Sequence, residues 1–524
     1  MATNSTIALP AKIPADVNLQ KRTQKKFGGL CREMIAGGED ISSMNNVVSD
    51  DYPRLSVRGA RKLLSSAVTQ AQINGVMASD KVYVVEGDKV YISSNNTRVE
   101  CCQLKSDDEK TFVKCQKDLI ILPDHLYLNG ISSTVSNLRV DTGTVNGVVS
   151  GDSLKIEGFD FYEKGFSSGD GIQVVVYTGN NGMNVFSGNF VVREISDDTL
   201  YIDGVFSHDG EYRVRVMKDM PFLENAVCLG ERMYGINGRS LYISEEGNIH
   251  NWKAESGFDS DPVHMISSSA GDFTACAEWN GYIILFKEGS INKLLGNKAS
   301  NFILSETTAP GIPEGYGNTL VSIGGALYYC GARGVYKYDG TSPKRIDLGA
   351  LPDGLIPVAA ATDGEKYYLV ASGRLYVYDT ARQIWCAEDG SEIIALSSKA
   401  SRVYMLTKNG DLLVSGPTDE EGSDEGDVTS EITFGYDDGG SADKKSLQSL
   451  SLTVFVEKGA QLDVEVELDE SGEREVIGSR TGEGVWENLT YAVKSNVCNG
   501  FRVYLRSRGK FTLASLTRNY RVIC

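Results

Sequence analysis

The sequence predicts an all-β protein built around a β-propeller of six or seven blades. Short strand pairs recur between residues 75 and 416, and each strand of a pair carries an apolar residue next to a tyrosine. Successive pairs are spaced about 40 residues apart, which is the period of a four-stranded blade. A lone blade cannot bury its two faces, so this repeat predicts blades stacked round a ring. The clearest pairs are Val82-Tyr83 with Val90-Tyr91, Met233-Tyr234 with Leu241-Tyr242, Leu327-Tyr328 with Val335-Tyr336, and Tyr367-Tyr368 with Leu375-Tyr376.

An ordinary β-sandwich with tyrosine-rich hairpins is the alternative fold. Sandwich strands seldom keep one spacing over so many hairpins, which favours the propeller. We therefore assign residues 64–130 and 221–418 to the propeller.

Residues 1–63 carry little strand periodicity and include a basic stretch, KRTQKK, at 21–26. Segments of this composition usually run extended or pack on another chain. We expect an extended N-terminal arm.

Residues 131–220 interrupt the blade repeat with a stretch whose residue pattern differs from that of the blades. Short alternating strands follow a glycine-containing turn near residue 151. Insertions of this kind are tolerated at exposed turns. The pattern predicts an inserted all-β module, small and barrel-like.

The segment 419–427, DEEGSDEGD, is an acidic break spaced by glycines. A calcium loop is an alternative, but the ordered acidic pattern of such loops is missing, so we expect a solvated acidic linker. Residues 428–524 alternate again in clear strands and predict a C-terminal β-sandwich.

The chain has 52 basic and 70 acidic residues, for a net charge of −18. This balance argues against a protein that wraps nucleic acid, because phosphate neutralisation needs clustered lysine and arginine. It is compatible with a channel through which DNA slides, or with a charge that only keeps the chain soluble. No apolar run approaches the ~20 residues of a membrane-spanning helix.

The ten cysteines show no CxxC spacing and no metal-ligand grouping with the four histidines. Cys276, Cys330 and Cys386 lie within apolar strand patterns and resemble small core residues. We expect all ten to be mostly free thiols made in a reducing cytoplasm.

No catalytic, cofactor-binding or metal-ligating residue is predicted, and we expect a protein without enzyme activity. The sequence has no phosphate-binding glycine loop, zinc-protease motif or nucleophile elbow. His125 lies in a predicted turn and is expected to be solvated. Residues 244–252, SEEGNIHNW, are similar to the Asp-box turn of sialidase propellers, but the match is poor and occurs once. We expect a blade hairpin there, with Trp252 packed between blades.

Three stretches resemble a family of tailed-bacteriophage structural proteins. They are MNNVVSDDYPRLSVR at 44–58, LIILPDHLY at 119–127 and GVYKYDG at 334–340. The family is related to the tail-nozzle proteins of short-tailed phages.

The resemblance implies a virion component of the tail nozzle, tail tube or head-tail connector, made in the bacterial host cytoplasm. It implies a homo-oligomeric ring, six-fold by analogy, that contacts adaptor and portal proteins and passes genomic DNA through its lumen during ejection. No cofactor is implied. The alternative function is a lectin-like, carbohydrate-binding receptor propeller at the tail tip. A polysaccharide-degrading propeller enzyme is disfavoured, because no arginine and carboxylate constellation accompanies the blades.

Overall fold

The structure is a computed structural model that describes residues 19–33, 38–94, 96–131, 134–178, 183–390, 392–415, 423–494 and 497–523. These residues form strands and turns, with one 3-10 turn at Gly317–Thr319. The predicted all-β propeller class is confirmed. No helix in the described part of the chain is long and apolar enough to cross a membrane.

Of the expected N-terminal arm, residues 19–33 and 38–63 are described, and they do not form a free arm. Five strands lie before the first blade: β1 (Leu19–Gln24), β2 (Ile41–Asn45), β3 (Val47–Val48), β4 (Leu55–Val57) and β5 (Lys62–Ser65). β1, β2 and β4 pair with strands of the C-terminal domain, β3 pairs with β4 at the edge of the same sheet, and β5 joins the propeller. The correction has a simple cause, since the edge strands of those sheets need backbone partners and the N-terminal strands supply them.

Blades 1 and 2 follow as two four-stranded antiparallel sheets. Blade 1 consists of β6 (Ile73–Ala78), β7 (Val82–Glu86), β8 (Lys89–Ser94) and β9 (Thr97–Gln103). Blade 2 consists of β10 (Thr111–Cys115), β11 (Asp118–Leu122), β12 (Leu126–Leu128) and β13 (Val135–Asn137).

The inserted module is a closed barrel. Its strands are β14 (Arg139–Asp141), β15 (Val145–Ser150), β16 (Ser153–Lys155), β17 (Gly171–Thr178), β18 (Met183–Ser196), β19 (Thr199–Asp203) and β20 (Gly210–Asp219). The pairing of β20 with both β15 and β17 closes the ring, with β14 added at the side. The module has its own core, which includes Phe161, Phe166 and Val214.

Blades 3 to 7 complete the propeller as five further sheets. Blade 3 is β21 (Asn225–Leu229), β22 (Arg232–Asn237), β23 (Ser240–Ile243) and β24 (Val263–Ile266). Blade 4 is β25 (Ala275–Trp279), β26 (Tyr282–Phe286), β27 (Ser290–Leu295) and β28 (Ile303–Thr308). Blade 5 is β29 (Val321–Ile323), β30 (Ala326–Gly331), β31 (Gly334–Tyr338) and β32 (Lys344–Arg345). Blade 6 is β33 (Pro357–Thr362), β34 (Lys366–Ala371), β35 (Arg374–Asp379) and β36 (Ile384–Asp389). Blade 7 is β37 (Ile393–Lys399), β38 (Arg402–Thr407), β39 (Leu412–Val414), the N-terminal β5, and β40 (Ser423–Asp424) at its edge.

The ring closes at blade 7, because β5 from the N-terminal side pairs with β39 from the C-terminal side. Apolar clusters fill the joints between neighbouring blades. Tyr404 of blade 7 and Val84 of blade 1 share one such cluster, and others join blades 1 and 2, 2 and 3, 3 and 4, and 4 and 5. The propeller therefore has seven blades.

The C-terminal domain is a sandwich of two sheets. Its strands are β41 (Thr429–Phe434), β42 (Lys444–Val456), β43 (Gln461–Leu468), β44 (Arg474–Thr481), β45 (Trp486–Ala492), β46 (Val497–Cys498), β47 (Phe501–Arg508) and β48 (Phe511–Ile523). One sheet has the order β3-β4-β48-β42-β45 and adds β1 and β46, and the other has the order β2-β41-β47-β43-β44. One apolar cluster runs continuously from this sandwich into blades 5 to 7, so the two parts share a core.

Three local expectations need correction. His125 is not solvated: it is buried at φ +54°, and its Nε2 lies 3.2 Å from the Pro221 carbonyl oxygen. The described part of the expected acidic linker is not simply solvated, because β40 pairs with β5 and Glu425 forms an ion pair with Arg58. Residues 419–422 of that linker lie outside the described residues. Two cysteines are not free, because Cys115 and Cys228 form a disulfide.

Candidate functional site

The main candidate site is a cleft of about 600 Å³ where blades 6 and 7, the N-terminal strands and the sandwich meet. We call it the junction cleft. Charged side chains from four separate stretches of sequence line it: Asp50, Arg58, Arg61, Lys62, Asp363, Lys366, Glu388 and Lys510.

Two buried arginines form the floor of the junction cleft. Arg58 follows β4 and Arg61 precedes β5, so the crossing from sandwich to propeller places both at the joint. Arg61 Nη2 donates to Glu388 Oε2 at 2.9 Å and to the Asp389 carbonyl at 2.8 Å. Arg58 Nε donates to Asn46 Oδ1 at 2.8 Å and lies 3.5 Å from Glu388 Oε2. These contacts hold both guanidinium groups in place.

The blade 6 wall contributes a second charged group. Lys366 begins β34, and its ammonium forms an ion pair with Asp50. Burial alone would lower the pKa of Lys366, but the Asp50 carboxylate outweighs burial and holds that pKa above its usual value. Tyr368 donates to Asp363 Oδ2 at 2.9 Å, and burial followed by that carboxylate raises the pKa of Tyr368 far above its usual value. The ammonium is charged and the phenol is protonated at neutral pH.

Two cationic groups at the cleft have no anionic partner among the described residues. Lys62 and Lys510 form no hydrogen bond or ion pair through their ammonium groups with the described residues. Arg61 is 5% exposed, and its Nε has no acceptor among them. The described lining holds five cations against three anions, and Glu425 adds one more acid behind Arg58. The cleft is therefore locally positive on a chain with a net charge of −18.

The junction cleft presents polar groups of three kinds. Its described lining includes hydroxyl, carboxylate and cationic groups but no histidine or cysteine. Ser49 donates its hydroxyl hydrogen to Asp379 at 2.6 Å, and Asp379 is itself paired with Arg382 at 2.7 Å. The carboxylate is thus neutralised by an arginine, and a serine and a carboxylate in this arrangement lack the orienting third group of a hydrolytic triad.

The segment 244–252 has a structural role. The Ser244 hydroxyl accepts from the Met233 amide at 2.9 Å, and Asn248 and Asn251 both donate to Glu245 Oε2. Trp252 is buried in the cluster between blades 2 and 3. No group of three or more potential metal ligands occurs among the described residues.

Sequence reasoning misses the junction cleft because its charged residues are far apart in the chain. The one local signal is VRGARK at 57–62, which places three cations within five residues. The pattern points to a charged turn, and only the fold brings Lys366 and Lys510 to it.

Comparisons with known proteins give weak likenesses. No family model and no curated protein matches the chain. Among solved structures, BamB from Moraxella catarrhalis is similar over 73% of this chain and 100% of its own, at 11% identity and a TM-score of 0.37. AztD from Citrobacter koseri is similar over 66% of this chain and 90% of its own, at 11% identity and a TM-score of 0.31. PorZ of the type-IX secretion system of Porphyromonas gingivalis is similar over 87% of this chain and 81% of its own, at 10% identity and a TM-score of 0.29. Likenesses at this level carry no argument about function.

The expected membership of a phage tail-nozzle family is wrong. None of these similar structures is a phage tail protein, and no family model or curated relative supports a phage origin. The expected functions as a nozzle, connector or tail-tip receptor fall with it. The six-fold ring and the virion location depend on the same resemblance and lose their basis.

Proposed function

We propose that the protein is a non-catalytic binding protein whose propeller and sandwich together present the junction cleft to an oxyanion group. The observation that carries the proposal is the pair of ammonium groups without an anionic partner, Lys62 and Lys510, at one cavity of about 600 Å³. Phosphate and carboxylate groups are the anions that such donors recognise.

The electrostatics favour this ligand class. Like charges brought together in a partly enclosed cleft repel each other, and an anion placed between them removes the repulsion while it accepts hydrogen bonds. Arg58 and Arg61 are already fixed by Glu388 and Asn46, so little side-chain entropy is lost on binding.

The net negative charge of the chain limits the distance over which the cleft attracts an anion. A net charge of −18 repels anions at distances beyond the cleft, although salt screens this repulsion beyond about 8 Å. Recognition is therefore local. We expect a dissociation constant for inorganic phosphate between about 1 µM and 1 mM, which corresponds to about 4 to 8 kcal/mol.

Binding also ties the domains together. Lys62 belongs to blade 7 and Lys510 to the turn before β48 of the sandwich. A ligand held by both stabilises the folded chain by mass action. Thermal unfolding in phosphate should therefore occur at a higher temperature than in chloride of equal ionic strength.

Isothermal titration of the full chain with inorganic phosphate and with citrate tests the proposal and separates phosphate from carboxylate ligands. The double variant Lys62→Gln/Lys510→Gln removes unpaired charges without breaking a contact. We expect it to weaken binding at least tenfold, about 1.4 kcal/mol. The matched control is Lys458→Gln, an exposed lysine of the sandwich, which should bind as the wild type does. Equal binding by all three proteins, or no binding of either anion, would overturn the proposal.

A further inference from the structure

The disulfide joins two blades at the point where the barrel is inserted. Cys115 ends β10 of blade 2 and Cys228 lies in β21 of blade 3, and their Cα atoms are 5.4 Å apart. That distance lies within the usual range for a disulfide. The 113-residue separation covers the whole barrel, so the bond closes a covalent loop round the inserted module.

The disulfide lines a cavity that opens to solvent. The cavity has a volume of about 320 Å³, and both cysteines are part of its wall. Its mouth contains the exposed residues Gly230, Glu231 and Gly247. The bond is therefore reachable from outside. By contrast, burial raises the pKa of the Cys330 and Cys386 thiols to about 12, and both lie in closed core.

Two polar side chains in the wall of the same cavity each have one atom without a hydrogen-bond partner among the described residues. Arg232 is 3% exposed, and its Nε lacks an acceptor among the described residues. His250 Nδ1 also makes no hydrogen bond there, and its approach to Asp170 Oδ1 is 3.5 Å. Burial lowers the pKa of His250, so the ring is neutral at neutral pH. The Arg232 guanidinium is held in the cavity wall by the carbonyl oxygens of Ser244, Asp259 and Asp261 and by the Glu246 carboxylate.

We propose that Cys115–Cys228 is a redox-active site at which a small dithiol, or two equivalents of a small monothiol, reduces the bond in the folded protein. The incoming thiolate attacks Sγ of the more exposed Cys228, forms a mixed disulfide and releases Cys115 as a thiolate. A second thiolate attacks the mixed disulfide at the reductant sulfur and releases Cys228. The reductant loses two electrons and two protons and becomes a disulfide, and the protein gains two thiols.

Reduction breaks the covalent bond between blades 2 and 3 beside the inserted barrel. The contacts that remain are noncovalent: Asn248 Nδ2 donates to the Gly169 carbonyl at 2.7 Å, and the Gly171 amide donates to the His250 carbonyl at 3.1 Å. His250 also lines the cavity, so the same cavity wall contains the disulfide and a residue that contacts the barrel.

Native alkylation of the full chain tests the inference. Air-oxidised protein is treated with millimolar dithiothreitol or with glutathione, labelled with iodoacetamide and mapped by mass spectrometry. We expect labels on Cys115 and Cys228 only after reduction, with an unchanged far-ultraviolet circular dichroism spectrum. Cys330 and Cys386 are internal controls and should stay unlabelled.

A second measurement tests whether reduction of this disulfide changes the folded protein around the barrel. Limited proteolysis near residues 221–224 should be several-fold faster in the reduced protein, and Cys115→Ser/Cys228→Ser should show the same rate without reductant. The variant Cys31→Ser, which lacks a free cysteine outside this cavity, is the matched control and should cleave as the oxidised wild type does. Labelling of both cysteines before reduction, reduction only in denaturant, or equal proteolysis in both states would overturn the inference.

Discussion

A fully buried ion pair in blade 1 contacts the segments that close the ring. Glu86 Oε1 accepts from Arg98 Nη1 at 2.6 Å, and both side chains are 0% exposed. Glu86 also accepts from the Thr69 amide at 2.9 Å, and Arg98 donates to Ser65 Oγ at 3.0 Å and to the Gly410 carbonyl. Ser65 ends β5 and Gly410 lies in a turn of blade 7, so the pair connects blade 1 to the strand that closes the ring.

The perturbation is Glu86→Gln, which preserves shape and removes the charge. It leaves Arg98 buried without a counter-charge, a defect that typically costs about 3–5 kcal/mol. For a unit the size of this propeller, each kcal/mol lowers the unfolding temperature by about 2–4 °C, so we expect a decrease of roughly 6 °C or more. The double variant Glu86→Leu/Arg98→Met should recover part of this loss, because no charge is then left unpaired.

Differential scanning calorimetry of the full chain provides the measurement. The matched control is Glu100→Gln, which breaks an exposed ion pair with Lys89 (2.8 Å) on the same blade and should cost no more than about 1 kcal/mol. Equal shifts for Glu86→Gln and Glu100→Gln would refute the reasoning that burial decides the cost.

The same pair gives a pH dependence with a definite sign. Burial alone would raise the pKa of Glu86, but hydrogen bonds from Arg98 and from Thr69 and Val68 outweigh it and lower that pKa below its usual value. A depressed folded-state pKa contributes stability that is present above the unfolded value, about 4.3, and is lost as pH falls through the folded one. The difference in stability between wild type and Glu86→Gln should shrink below about pH 4. A constant difference from pH 7 to pH 3 would contradict this account.

Two further substitutions test how the appended parts are held. Arg518→Met removes a fully buried guanidinium that donates to Gln24 Oε1 at 3.2 Å and lies 3.5 Å from the buried Asp437 carboxylate. It should cost about 3–5 kcal/mol in sandwich stability and speed proteolysis of residues 19–33. The buried Lys218 ammonium lies 2.8 Å from Asp170 Oδ2, and Asp170→Asn removes that carboxylate charge. The barrel should then unfold at a lower temperature, while the unfolding temperature of the propeller stays unchanged.

The propeller could be predicted from sequence because its signal is local. A blade hairpin such as β30–β31 is encoded within a dozen residues by apolar-tyrosine pairs and a turn, and its register follows from the alternation. The N-terminal strands could not be predicted in the same way. Leu19 pairs with Arg521, and no pattern within residues 19–24 indicates a partner at the other end of the chain.

The phage resemblance shows how blade chemistry imitates family signatures. In GVYKYDG at 334–340, Gly334 has φ +144° and a Cβ there would meet the Asp347 side chain at 2.4 Å. Gly340 has φ +92°, and a Cβ would lie 2.1 Å from the ring of Trp279. The glycines are required by the hairpin and by its neighbouring blade, whatever the protein binds. The motif therefore predicts the fold and not the function.

The disulfide and the junction cleft were missed for a related reason. Cys115 and Cys228 are separated by the whole barrel, so no cysteine motif links them. Arg61 and Lys510 meet only because β5 belongs to the propeller and the β47–β48 turn belongs to the sandwich. Sites made between domains leave little local pattern.

A crystal soaked in tungstate, an electron-dense phosphate analogue, tests the central claim most directly. We predict an anomalous peak in the junction cleft, between the ammonium groups of Lys62 and Lys510. The Lys62→Gln/Lys510→Gln crystal should lack that peak. An empty cleft in a wild-type crystal that binds tungstate elsewhere, or a peak that survives the double substitution, would contradict the claim that these unpaired cations form an oxyanion site.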